Sequence, residues 1–234
     1  GFAEECLAEA HRVMPLPAGM DFEAGAALVL TYCTSLHALK DCGHLKPNET
    51  LVVLGAAGGV GISAIEIGKA MGARVIAAAS SDDKLALCRK VGADDTVNYS
   101  TENLKDRINE LTAGKGADVV YDPVGGPYTE PAVRALAWRG RLLIVGFAAG
   151  EIPKIPLNLA LLKERSLIGV YWGDSTKHDP AGHLANLQQL NDWFAAGVIR
   201  PVVSESFPLA AAKEAIAKIA NRQVKGKIVV LPNN

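Results

Sequence analysis

The chain has 234 residues, 49% of them hydrophobic and 21% charged, which is ordinary globular composition for one large domain or one and a half. A net charge of −1 gives no electrostatic reason to expect nucleic acid or an anionic membrane as partner, and no apolar run approaches the ~20 residues that span a bilayer.

The opening "GFAEECLAEAHRV" carries acids where a secretory leader would carry bases, lacks an initiator methionine, and reads as the inside of a longer sequence. Pro15 and Pro17 predict an extended or turning path. "DFEAGAALVLTYCTSLHALK" predicts a helix, broken near Thr31. Strand and helix then alternate: strand 51–55, helix 59–72, strand 74–79, helix 82–91, strand 96–99, helix 101–113, strand 118–122, helix 127–138 and strand 141–147. A short helix near 158–164 and a strand at 166–172 follow. The strands are Val/Ile/Leu runs without polar alternation, which predicts a parallel, doubly wound α/β sheet covered on both faces. The rhythm breaks after a helix at 180–196 capped by Gly197. "RPVVSESFPL", an amphipathic helix through Asn221 and a last strand "KIVVLP" suggest a second layer or lobe.

"LVVLGAAGGVGISAIEIGKAMG" sets a glycine-rich turn between the first strand and its helix. Ala56-x-Gly58-x-x-Gly61 is the dinucleotide fingerprint with alanine in its first slot. Gly58 lets the backbone approach a pyrophosphate, Gly61 lets the helix pack on its strand, and the helix N-terminus offers N–H donors to phosphate. The competing reading is a tight turn that binds nothing. An acid about 20 residues on would bind the ribose 2′-OH, but that position falls at Ala79-Ser80-Ser81. A carboxylate would repel a 2′-phosphate, whereas the hydroxyls of Ser80 and Ser81 can donate to one. Lys84 stands in the first turn of the next helix, where the dipole disfavours a cation. It is either drawn there by a bound anion or is a solvated lysine offset by Asp82 and Asp83. In the strand order 3-2-1-4-5-6, Tyr99 ends the third strand beside Ser80 and Ser81, to cover the adenosine or to stand as an ordinary strand-end tyrosine.

The cysteines (Cys6, Cys33, Cys42, Cys88) form no Cys-x-x-Cys, and reduced thiols in a cytoplasmic protein are the reading they support. The histidines (His11, His37, His44, His178, His183) form no His-x-x-x-His pair, so no metal is expected. No Ser-His-Asp or Cys-His constellation is evident.

The ordered set "TYCTSLHAL…LGAAGGVG…SSDDK…GAD…NYS…DVVYDPVGG…GRLLIVGFAAG" resembles the zinc-independent quinone oxidoreductase (zeta-crystallin-like) branch of the medium-chain dehydrogenase/reductase superfamily, over essentially the whole chain. The resemblance implies a Rossmann domain at 29–202. It also implies remnants of a GroES-like β-barrel lobe at 1–28 (the tail of the catalytic lobe) and at 203–234 (its closing pieces). The expected activity is hydride transfer from NADPH to a quinone or other conjugated carbonyl, in a cytoplasmic homodimer that pairs its nucleotide domains. By the same resemblance Ala57, Gly58, Gly59, Val60 and Gly61 hold the pyrophosphate, and Ser81, Lys84 and Tyr99 the 2′-phosphate. Thr34 lies against the nicotinamide, and Val124, Gly125, Gly146, Phe147 and Ala148 line its ribose. Gly226 and Lys227 lie near the reactive end of the cofactor, and Trp172 walls the substrate side. No catalytic residue is assigned. In zinc-dependent relatives a cysteine ligand precedes the threonine matched by Thr34, and Leu30 stands there instead. Two other readings compete: an NADPH-binding module or structural protein without efficient catalysis, and a methyltransferase, which Ser80-Ser81 argues against.

Overall fold

The computed structural model describes residues 2–10 and 13–232, so His11 and the outermost residues of the two predicted lobe segments lie outside the described residues. Six strands form one parallel sheet: β1 (Thr50–Leu54), β2 (Arg74–Ala79), β3 (Asp95–Asn98), β4 (Ala117–Asp122), β5 (Leu136–Ile144) and β6 (Ser166–Gly169). Their order is β3-β2-β1-β4-β5-β6, the doubly wound arrangement expected of the apolar strands.

Alternation along each strand splits the core in two. Leu51 and Val53 of β1, Val75 and Ala77 of β2, and Tyr121 of β4 point to one face. There they meet α1 (Phe22–Leu36), α2 (Gly59–Ala70) and α8 (Pro180–Ala195). Val52, Leu54, Ile76, Ala78 and Val120 point to the other, against α4 (Leu104–Leu111) and α5 (Thr129–Arg134). All five residues of β1 are buried, as burial on both faces demands.

Several predicted elements differ in extent. The first helix does not break at Thr31. Thr31 folds its hydroxyl back to donate to the Ala27 carbonyl at 2.7 Å, so its polar atom is satisfied inside an unbroken helix. The chain instead widens into a π-helical turn at His37–Cys42. The predicted helix 127–138 ends at Arg134 and β5 begins at Leu136, with its register shifted between Ala117 and Val119. Arg139 (φ 56°) sits in this early part of β5 and ties its N–H to the carbonyl of Lys163, just past α6 (Asn158–Leu161), at 2.8 Å. β6 stops at Gly169, and Trp172 opens a short helix, α7 (Trp172–His178), where the strand was expected to continue.

The stretch "RPVVSESFPL" contains β7 (Val203–Pro208). It pairs in parallel with β8 (Lys227–Leu231) across α9 (Ala212–Ala220), as a two-stranded sheet separate from the large one. Several contacts anchor this unit, two of them near its strands. Ser206 Oγ donates to Glu23 of α1 at 2.8 Å, and the Gly226 N–H donates to the Ala57 carbonyl at 2.7 Å. The second contact places the C-terminal segment directly on the turn after β1.

Candidate functional site

A cleft of about 450 Å³ opens at the C-terminal ends of β1, β2 and β4, where the sheet order reverses between β1 and β4. Open α/β sheets bind their ligands at such a switch point.

Its floor is the glycine turn. Gly58 caps α2 with no side chain of its own to offer, so the N–H groups of the first turn, which have no acceptor within the helix, face outward. The two fingerprint glycines answer to different constraints. A Cβ on Gly61 would meet the Gly55 carbonyl oxygen at 2.5 Å and the Ala56 backbone at 2.6 Å, so packing alone demands glycine there. A Cβ on Gly58 would meet nothing of the protein closer than 3.4 Å. Gly58 also has φ −78°, which any residue adopts. The space it leaves open belongs to the cleft it lines. This cradle beside a helix N-terminus fits a pyrophosphate.

At the end of β2 the two serines divide. Ser80 lines the cleft. Ser81 is the N-cap of α3 (Asp82–Lys90), accepting from the Lys84 N–H at 3.4 Å. Lys84 Nζ donates to Ser80 Oγ at 3.3 Å and to the Arg222 carbonyl at 3.2 Å, and both side chains line the cleft. Tyr99 lines the same wall and stacks obliquely on Tyr128 at 4.4 Å; burial pushes its phenol up from the ordinary value. The two aspartates beside Lys84 are occupied elsewhere. Asp82 accepts from Asn98 Nδ2 at 2.9 Å, and Asp83 pairs with Lys225.

The far wall comes from two interlocked loops. The buried Asp122 accepts from the Val124 N–H at 2.8 Å, the Gly125 N–H at 2.9 Å and the Thr129 hydroxyl at 2.6 Å, which holds the "DPVGG" turn in shape. The next loop is laced to this one, with the Gly146 N–H on the Asp122 carbonyl and the Ala148 N–H on the Pro123 carbonyl.

The cleft thus gathers Ala57, Gly58, Ser80, Lys84, Tyr99, Val124 and Ala148, with Gly59, Val60 and Gly61 following in the first turn of α2. Gly125 and Gly146 stand in the adjoining loops. Phe147 packs over Gly125 and borders a smaller apolar cavity of about 130 Å³. Gly226 bridges to Gly58, and the Lys227 side chain lies over Gly59. Thr34 and Trp172 do not line the cleft. Thr34 donates to the Leu30 carbonyl within α1 at 2.6 Å, and Trp172 stacks against His183 of α8. Sequence reasoning passed over Arg222, Tyr128 and Ala149. Arg222 follows α9 at φ 57°, and its guanidinium donates to the Ala149 carbonyl at 3.4 Å. Its one signal was its place four residues before Gly226.

A doubly wound α/β domain with an uncapped glycine turn and a cationic corner at the second strand is the nucleotide half of a dehydrogenase. Comparison with known proteins agrees. Residues 59–189 match the family described as zinc-binding dehydrogenase. The chain is 38% identical to the quinone oxidoreductase-like protein 2 homolog of Nematostella vectensis, over 98% of this chain and 63% of the relative. It is 36% identical to the quinone oxidoreductase of Pseudomonas aeruginosa, over 97% of this chain and 69% of that one. Among solved structures, Escherichia coli quinone oxidoreductase complexed with NADPH superposes with a TM-score of 0.84 at 29% identity, over 93% of this chain and 67% of that one. The chain belongs to the medium-chain dehydrogenase/reductase superfamily, in the branch of the quinone oxidoreductase-like proteins. It spans 63% to 66% of the length of the quinone oxidoreductase-like 2 relatives of Nematostella vectensis and Bos taurus.

Proposed function

We propose that the cleft binds NADPH and that the whole protein passes its hydride to a quinone or another conjugated carbonyl (enone, enal or enoyl thioester). The observation that carries this reading is the corner at the end of β2. There Lys84, Arg222, Ser80 and Tyr99 meet, and among the described residues no acid lines the cleft. Two cations and two hydroxyls suit a 2′-phosphate, whereas a free 2′-OH is usually met by a carboxylate at this point. The cofactor supplies the hydride. The residues of this chain bind and orient it: the first turn of α2 on the pyrophosphate, the turns held by Asp122 against the ribose. Thr34, Gly226, Lys227 and Trp172 retain their proposed places toward the reactive end and the acceptor.

Zinc takes no part in this proposal. The family description names the metal, but the residues do not fit it. Among the described residues no group of three or more His, Cys, Asp or Glu converges on a point, whereas a catalytic zinc needs three protein ligands. Leu30 lies 58% exposed on α1 with no ligand atom, and burial pushes the Cys33 thiol up to about 12.

The segments 1–28 and 203–234 are proposed to complete a second lobe, and β7 with β8 supports this by forming a sheet apart from the large one. Pairing of two copies along β6 is supported by its place at the sheet edge beside the exposed Leu157, Leu161 and Tyr171. A cytoplasmic location is supported by four unpaired cysteines. No helix among the described residues is long and apolar enough to cross a membrane.

The second reading is a nucleotide-binding module without efficient turnover, for which the cleft alone would suffice. The decay of NADPH absorbance on adding a quinone separates the two. Steady decay supports the oxidoreductase; fluorescence quenching of bound NADPH without decay selects the module.

A further inference from the structure

At the C-terminal end of α1, among residues that do not line the nucleotide cleft, the π-helical turn brings three reactive side chains into line. Cys42 Sγ lies 3.4 Å from His37 Nε2, and His37 Nδ1 lies 2.9 Å from Asp41 Oδ2. An α-helix turns about 100° per residue, so a residue five positions on would stand about 140° round the axis. Here the Gly43 N–H reaches the Ala38 carbonyl at 2.8 Å, an i to i+5 bond, and the wider turn sets both Asp41 and Cys42 beside His37. The sequence spacing therefore hid a Cys-His-Asp constellation that the backbone creates.

The line continues into α8. The buried Asn186 donates through Nδ2 to Asp41 Oδ2 at 2.7 Å, while its Oδ1 accepts from Lys40 Nζ at 2.8 Å. A carboxylate only accepts, so the His37 nitrogen facing it carries the proton, and in the neutral imidazole Nε2 is left with its lone pair toward the thiol. Thiol and carboxylate sit on opposite nitrogens and converge on no common point, which rules out a shared metal ion. Burial and the Asp41 charge push the Cys42 thiol up from its ordinary value, so it rests protonated and needs a base as it reacts.

We propose that Cys42 is a covalent modification site for soft electrophiles of the α,β-unsaturated carbonyl class, with His37 as its base and Asp41 and Asn186 positioning the imidazole. The sulfur attacks the β-carbon. The C–S bond forms as the C=C π bond breaks, and its electron pair passes to the enolate. The thiol proton moves to His37 Nε2, and the imidazolium returns it to the α-carbon. The adduct is a net addition that needs no oxidant and expels no group. The site is separate from the nucleotide cleft, so the proposal stands or falls independently of the NADPH reading.

The test exposes the nucleotide-free 234-residue chain to methyl vinyl ketone and follows all four cysteine peptides by mass spectrometry over time. The expected result is a single-enone adduct on Cys42 whose rate falls at least about tenfold in His37→Gln, since a positioned base contributes at least that much. Cys6, which is exposed, should react at an unchanged rate, and the buried Cys33 and Cys88 should stay unreacted as reporters of an intact core. Should His37→Gln open the core, Asp41→Asn keeps the imidazole but weakens its hold, with a slowing of about threefold or more expected. Cys42 unreacted while Cys6 is consumed, or reacting equally fast in wild type and the intact variant, would overturn the proposal.

Discussion

Lys84 Nζ donates to the carbonyl oxygen of Arg222 at 3.2 Å, joining residues 138 positions apart across the mouth of the cleft. The bond explains how a lysine is tolerated in the first turn of α3, where the dipole opposes it. Its charge is drawn off the helix axis, toward Ser80 and the segment after α9. Asp82 and Asp83, which would oppose an anion, are turned to Asn98 and Lys225. A cationic corner is left open to the cleft.

Arg222→Ala should therefore weaken NADPH. A hydrogen bond to a charged group contributes roughly 1.5–3 kcal/mol, or about 10- to 150-fold in affinity at 1.4 kcal/mol per tenfold. NADH should lose markedly less. Titration by fluorescence checks this, and equal losses would place Arg222 on the adenine rather than on the phosphate.

The two fingerprint glycines should separate on substitution. Gly61→Ala drives a Cβ into immovable backbone at 2.5 Å and should destabilise the fold by about 1–3 kcal/mol in urea unfolding. Gly58→Ala meets only an ordinary 3.4 Å contact. It should cost under about 1 kcal/mol, mainly as a poorer cap, yet weaken nucleotide at least about tenfold, the equivalent of 1.4 kcal/mol of lost contact.

Much of this was legible in the sequence. The buried β1 and β2 show as unbroken apolar runs, and the glycine turn, Lys84 and Tyr99 fall at strand ends by simple alternation. What stayed hidden is long-range or non-α. Arg222 reaches the cleft through long-range contacts, among them the bridge of Gly226 to Gly58. β7 alternates between half-buried and exposed positions, as a strand does, but Pro201 and Pro208 bracket its short polar run and mask the signal. Cys42 is brought to His37 by a π turn, for which an apolar pattern of period 3.6 has no signal.

The buried Glu66 on α2 predicts a pH signature. Burial holds its carboxyl above the ordinary glutamate range, although the Tyr32 hydroxyl and the Arg200 N–H (2.9 Å) both donate to it. A raised carboxyl binds its proton more tightly folded than unfolded. Its contribution to stability is thus full at low pH and is lost as pH rises from the ordinary glutamate value through the folded one. Glu66→Gln keeps the shape without the charge. Its stability relative to wild type should rise across that window in urea unfolding at stepped pH. A difference independent of pH would mean that Glu66 titrates normally.

Metal analysis of purified protein should find fewer than about one zinc per ten chains, because three convergent ligands are lacking among the described residues. A stoichiometric zinc removed by chelator together with activity would contradict this.

The most direct test of the central claim is titration of NADPH and NADH against wild type and Lys84→Ala at one fixed, moderate salt concentration, since high salt would screen the effect. NADPH should bind wild type the more tightly. Lys84→Ala should weaken it roughly 10- to 150-fold, from the same charged hydrogen bond, and should change NADH by less than about threefold. If Lys84→Ala weakens both nucleotides equally, or neither, then the corner at the end of β2 does not read the 2′-phosphate and the NADPH assignment fails.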